Sequence, residues 1–169
     1  GEYSIHPHVV SHGYHVLHVN PQGYLTPDGY DKSKWDPEYD DWPVLPDTIR
    51  SQGKDGYREW LLDALCAILW ATSQTEVDDT RVGLFGTSQG GGASLLLGSI
   101  LGPSRISAVA ADLPFLTHFP RSMELAGDTG AYRLASLPMK KLDTEKRALA
   151  WRNLGFVDTI SHAHRLTVP

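Results

Sequence analysis

The 169-residue sequence has one cysteine, two methionines, no internal repeat and no run of like charges longer than two residues. A lone Cys66 cannot close an internal disulfide, which excludes the small secreted scaffolds that depend on such bridges. Cys66 lies in an apolar helical stretch, so we expect a buried, inert thiol. A reducing compartment, the cytoplasm, is compatible with it. Lys and Arg number 15 against 20 Asp and Glu, for a net charge of −5. Nucleic-acid binders carry a basic stripe, and anionic membranes attract clustered cations. Neither feature is present, so neither partner is expected. No cationic start leads into an apolar run and a small-residue cleavage site. The longest uncharged stretch, Val82 to Ser104, is interrupted by Gly, Ser, Thr and Gln. A membrane span needs about 20 predominantly apolar residues.

What is present is an alternation of apolar runs and helical patterns, in a chain of single-domain length. Tyr14 to Val19 is β-rich between Gly13 and Asn20-Pro21 and predicts a strand. Asn20 to Gly56, with five prolines and four glycines, predicts a long loop ordered by its own aromatic residues, Tyr24, Tyr30, Trp35, Tyr39 and Trp42. Asp55 to Thr72 predicts a broad-faced helix through Trp60, Leu61, Leu65, Ile68 and Leu69. Val82 to Phe85 and Ile106 to Ala111 predict strands buried on both faces. Gly90 to Leu101 predicts a helix stopped by Gly102-Pro103. From Phe115 to His164 the pattern is helical, with breaks at Pro120, Gly127, Gly130, Pro138 and Gly155. The fold class is therefore α/β, a parallel sheet flanked by helices. Three strands leave two unpaired edges, and Arg165 to Pro169 reads as the approach to a further strand. We expect residues 1–169 to be one partial domain, incomplete at both ends, with self-association through the open edges as a candidate.

Gly86-Thr87-Ser88-Gln89-Gly90 is a G-x-S-x-G placed between a strand and a helix, as a nucleophile elbow requires. A serine in a sharp turn projects its Oγ beyond the sheet. Gly86 and Gly90 are expected to lack Cβ atoms that would clash as the helix folds back. The helix N-terminus favours a developing oxyanion, and the backbone N–H of Gln89 is the candidate donor. The bland alternative for Ser88 is an N-cap serine in a Gly-rich turn. Gly91 and Gly92 are expected to serve packing only. The Gly-x-x-x-x-Gly-Lys phosphate loop is absent.

Arg81 to Gly92, followed by Ala111-Asp112-Leu113-Pro114-Phe115-Leu116-Thr117-His118-Phe119, resembles the acetyl xylan esterase and cephalosporin C deacetylase family. There a G-x-S-Q-G-G elbow precedes a D-x-P-F-L-x-H-F segment. Ser11 to Leu17 resembles the family's upstream strand. The resemblance implies part of an α/β-hydrolase fold and a serine esterase that removes acetyl groups from small esters without a cofactor. Ser88 would be nucleophile and Gln89 oxyanion donor. Asp112, Pro114, Phe115 and His118 would lie at or near the pocket. Asn20-Pro21-Gln22-Gly23-Tyr24 departs from the family's Arg-Gly-Gln motif. The family's acid and base follow later strands, beyond Pro169.

A triad needs a histidine within about 2.6–3.2 Å of the serine oxygen. His118 is one candidate, with a hydrogen-bonded, pocket-lining histidine as alternative. His162 and His164 are expected at helix-end carbonyls. Asp112 could orient a histidine or serve a structural hydrogen bond. His6/His8, His15/His18 and His162/His164 lack the spacing of a zinc site, so no metal is expected. The acidic, aromatic loop Tyr24 to Trp42 is a candidate carbohydrate surface. Lys140, Lys141, Lys146 and Arg147 read as a solvated helix face. Three readings remain: a serine carboxylesterase, a catalytically inactive binding module of the same fold, and a peptidase.

Overall fold

The structure, a computed structural model, describes residues 7–19, Leu45, Thr48, Ile49 and 56–169. In chain order the described elements are α1 (Pro7–Ser11), α2 (Tyr57–Thr72), β1 (Gly83–Thr87) and α3 (Gln89–Leu101). They continue with β2 (Ala108–Asp112), α4 (Phe119–Ala126), α5 (Arg133–Lys140), α6 (Thr144–Val157) and α7 (Thr159–His162), ending in a 3₁₀ turn, Ala163–Arg165. β1 and β2 pair in parallel, with Gly83 opposite Ala108 and Thr87 opposite Asp112. α3 is the crossover, and a parallel pair demands one.

The small side chains of α3 let the helix lie almost on the sheet. A Cβ at Gly92 would stand 2.1 Å from the Phe115 carbonyl oxygen, and one at Gly98 would stand 2.7 Å from Val109 Cγ2. Leu96 and Leu97 of α3 join Tyr57, Trp60 and Leu61 of α2, together with Leu45 and Ile49, in one core. Phe115, Leu116 and Phe119 extend it to Ala135, Met139, Ala150, Leu154 and Val157 of the C-terminal helices. Trp60 contributes its ring, but its buried Nε1–H has no hydrogen-bond partner among the described residues.

Several expectations change. Tyr14 to Val19 forms no strand. A β-rich composition becomes a strand only beside a partner, and this segment pairs with neither β1 nor β2. The strands are half-exposed rather than buried on both faces, and Phe85 is 53% exposed. Among the described residues α3 covers one sheet face and no helix covers the other. Cys66 is exposed, not buried. α2 buries the narrow face of Tyr57, Trp60, Leu61 and Ala64, leaving Leu62, Cys66, Leu69 and Trp70 outside. Pro138 and Gly155 lie inside α5 and α6 rather than between helices. Of the expected loop, Asn20 to Gly56, Leu45, Thr48, Ile49 and Gly56 are described, the first three helical and buried, and the candidate carbohydrate surface, Tyr24 to Trp42, lies outside the described residues. Val109 N–H donates to the Pro169 carbonyl at 2.9 Å, so the final residues run along the outer edge of β2.

Local turns follow side-chain chemistry. Arg147 is not a freely solvated cation, because it donates to the Met139 and Leu142 carbonyls at the end of α5. Lys140 pairs with Asp128, and Lys146 pairs with Asp143 at 3.3 Å. Before β1, Asp78 accepts from Thr80 Oγ1 at 2.6 Å, Arg81 Nε at 2.5 Å and Thr80 N–H at 3.0 Å. The Thr80 hydroxyl, then Arg81 and the Thr80 amide, lower its pKa from 3.8 to about 2.

Two outcomes are expected. Gly92→Ala should destabilise by about 3 kcal/mol or more through overpacking, whereas Gly155→Ala, in open space within α6, should stabilise by about 0.5–1 kcal/mol; urea melts of both variants check this. The folded pKa of Asp78 lies below its unfolded value, so the turn's contribution is complete above about 3.8 and is lost as pH falls toward about 2. A carboxylate NMR titration with an unshifted Asp78 midpoint would contradict the turn.

Candidate active site

The site is built where β1 turns into α3. Strand geometry ends at Thr87, and helix geometry begins one residue later at Gln89. Ser88 alone must reverse the chain, and it does so at φ 55°, ψ −115°. A positive φ on a residue with a Cβ is strained and persists only where its surroundings hold it. Three backbone bonds hold this one. Ser88 N–H donates to the Asp112 carbonyl at 2.9 Å, and the Ser88 carbonyl accepts Phe115 N–H at 2.8 Å and Gly92 N–H at 3.0 Å.

Ser88 occupies the N-cap position of α3, yet its hydroxyl makes no capping bond. That sets aside the reading of an ordinary cap serine. The side chain is exposed and has no hydrogen bond among the described residues. The Gln89 amide opens the helix, where backbone N–H groups have no intrahelical acceptor and the dipole is positive. The Gln89 side chain reaches the other way, and its Nε2 donates to Tyr57 Oη at 2.9 Å.

The glycines divide differently from expectation. A Cβ at Gly86 would stand 2.4 Å from the Gly90 carbonyl carbon, so the tight turn forbids it. Gly90 itself has open space around its missing Cβ. The helix turns that position outward, and the sheet-facing burden falls on Gly91 and Gly92. Gly91 faces Gly86 O at 3.0 Å and Asp112 O at 3.1 Å.

The segment after β2 forms the other wall. Leu113, Leu116 and His118 all have positive φ, at 44°, 62° and 50°. Asp112 is exposed, and its carboxylate accepts a long bond from Thr87 Oγ1 at 3.4 Å. Pro114 lies half-buried below Gly91. Phe115 does not face the site with its ring, which packs at 4.7 Å from Tyr132 and 6.1 Å from Phe119. Its contribution near Ser88 is its backbone N–H. The His118 ring caps α4, accepting Arg121 N–H at 3.3 Å, and no bond joins it to Ser88. His162 Nε2 meets the Phe156 carbonyl at 2.9 Å, the helix-end role expected of it. Among the described residues no group of three or more metal-ligating side chains forms, and no helix is long and apolar enough to cross a membrane.

The family model described as Acetyl xylan esterase (AXE1) matches residues 1–169. The chain belongs to the acetyl xylan esterase family. Among solved structures it is similar to the acetyl xylan esterase from Paenibacillus sp. R4, at 30% identity and a TM-score of 0.63 over 71% of this chain and 38% of that one. It also superposes on acetyl xylan esterase 1 from Thermoanaerobacterium sp. JW/SL YS485. The TM-score there is 0.80 at 23% identity, over 99% of this chain and 53% of that one. The second likeness shows the shared fold, the α/β hydrolase. This member spans about two-fifths to half of the length of those structures.

Two residues with no local sequence signal support the site. Tyr57, in the predicted helix, accepts a hydrogen bond from the Gln89 side chain and ties it to α2. Asp158 is 4% exposed and accepts His118 N–H at 2.7 Å, Phe119 N–H at 2.8 Å and Ile160 N–H at 3.1 Å. It caps α4 and α7 together and clamps the strained segment from 40 residues away. Its carboxylate is buried among its donors, so Asp158→Ala should cost about 3 kcal/mol. Asp112→Ala, at an exposed position, should stay within about 0.5 kcal/mol. Denaturant melts that rank the two the other way would contradict this assignment.

Proposed function

We propose that this chain carries the nucleophile of a serine carboxylic ester hydrolase acting on short acyl esters, acetyl esters above all. The observation that carries the reading is Ser88 itself: a strained, exposed serine at a helix N-terminus whose hydroxyl serves no cap. Holding an N-cap residue at φ 55° has no structural return that glycine would not give more cheaply. It does have a chemical one. The Oγ stands clear of the sheet, next to the first amides of α3.

The reaction is acyl transfer. Ser88 Oγ attacks the ester carbonyl, and its proton passes to a general base. The negative charge on the former carbonyl oxygen is met by the Gln89 N–H and the positive end of the α3 dipole. Collapse expels the alcohol and leaves an acyl-serine, which water then clears. The base must be a histidine within hydrogen-bonding reach. Among the described residues none makes that contact, and the His118 and His162 rings are engaged elsewhere. The described residues therefore supply the nucleophile and one oxyanion donor. Membership of the acetyl xylan esterase family supports an ester substrate. The single, exposed thiol of Cys66 fits a reducing compartment, the cytoplasm. The uncovered sheet face around Phe85 supports contact with further protein, a second copy included.

A fluorophosphonate probe should modify Ser88, located by peptide mass. Ser88→Ala should abolish labelling and lower 4-nitrophenyl acetate hydrolysis by roughly 10⁴-fold or more. Labelling elsewhere, or an active Ser88→Ala variant, would overturn the reading.

A further inference from the structure

We infer that Tyr57 is a positioning residue for the oxyanion-stabilising amide of Gln89, an assignment that rests on the nucleophile reading above. The three backbone bonds at Ser88 come from α3 itself and from the segment around β2. A side-chain bond also ties Gln89 to α2, from Gln89 Nε2 to Tyr57 Oη at 2.9 Å, across 32 residues of sequence. Tyr57 is suited to be a fixed point. It is fully buried, at 0% exposure. Its ring packs edge-on against Trp60 at 5.8 Å. Its backbone N–H donates to Thr48 Oγ1 at 2.9 Å, and Thr48 is itself 5% exposed. The phenol oxygen is therefore held by both ring packing and backbone.

Gln89 is the residue that needs such a point. It follows a strained serine, it opens a helix, and its side chain has three rotatable bonds. With the side-chain end anchored in α2 and the main chain leading from the elbow into α3, rotation of the first peptide plane is restricted from both sides. That plane carries the amide aimed at the developing oxyanion. Hydrogen bonds weaken steeply with misalignment, and oxyanion donors act on the transition state rather than on the bound ester. Loss of the anchor should therefore lower kcat and leave KM almost unchanged. A purely structural role would instead lower the melting temperature without separating the two constants.

The test uses purified protein and 4-nitrophenyl acetate. Tyr57→Phe keeps the ring and removes the hydroxyl. It should reduce kcat about 10-fold, with KM within about twofold and the midpoint of the pH–rate profile unmoved; a whole oxyanion donor is worth about 10²–10³. Gln89→Met keeps the backbone amide and the side-chain length but removes Nε2. It should give the same loss, and the double variant should lose no more than either single one. It also keeps the proposal testable should Tyr57→Phe fail to fold, because Tyr57 is then untouched. A kcat within twofold of wild type in the folded variants, or losses that multiply in the double variant, would overturn the assignment. Ser88→Ala, run alongside, separates the two conclusions. If it is inactive while Tyr57→Phe matches wild type, only the role of Tyr57 fails. If it is as active as wild type, the nucleophile reading fails and takes this one with it.

Discussion

The structure depends on the close approach of α3 to the sheet. At Gly86, Gly92 and Gly98 a single methyl group would collide with main chain or with Val109, and at Gly91 it would meet the Gly86 carbonyl oxygen at a tight 3.0 Å. Interiors are packed to crystal-like density and give way little. The helix therefore has one position on β1 and β2, and the turn that joins β1 to α3 has to be made by one residue. Strain at Ser88 is the consequence of that packing. The geometry of the turn at Ser88 and the core are one arrangement.

The strain does not stop at the serine. Leu113, Leu116 and His118 also have positive φ, and all three lie in the segment whose backbone grips Ser88. Such conformations each cost of order 1–3 kcal/mol and need external support. Asp158 supplies part of it, spending a buried carboxylate on three backbone amides from two helix starts. Ring packing among Phe115, Phe119 and Tyr132 and the Thr159 N–H bond to the Leu116 carbonyl add to it. The C-terminal helices act as the clamp that keeps the loop after β2 in its high-energy form.

The elbow was legible because its chemistry is local. A G-x-S-x-G between an apolar strand and a small-residue helix has one good reading, and the D-x-P-F-L-x-H-F segment pointed to the same family. The α/β class was legible from periodicity alone. The strand expected at Tyr14 to Val19 does not form, because β-branched composition marks what a segment can do beside a partner, and this segment pairs with neither described strand. Cys66 misled for a related reason. The wide apolar face of α2 is exposed along Leu62, Cys66, Leu69 and Trp70, and hydrophobicity without a known neighbour does not say which side is covered. The tie between Tyr57 and Gln89 and the clamp at Asp158 had no signal at all, since each joins residues more than 30 positions apart.

By itself the sequence determined the local elements: two apolar strands, the small-residue helix between them, the serine at their junction and the family to which they belong. These follow from steric rules that act within a few residues. Tertiary structure decided which glycines are obligatory, which rings face the core, and that His118 caps a helix instead of reaching the serine. It also brought a buried tyrosine to the elbow and a buried aspartate to the segment after β2 from distant parts of the chain. Those outcomes depend on which surfaces meet, and packing between elements is settled only when the chain closes on itself.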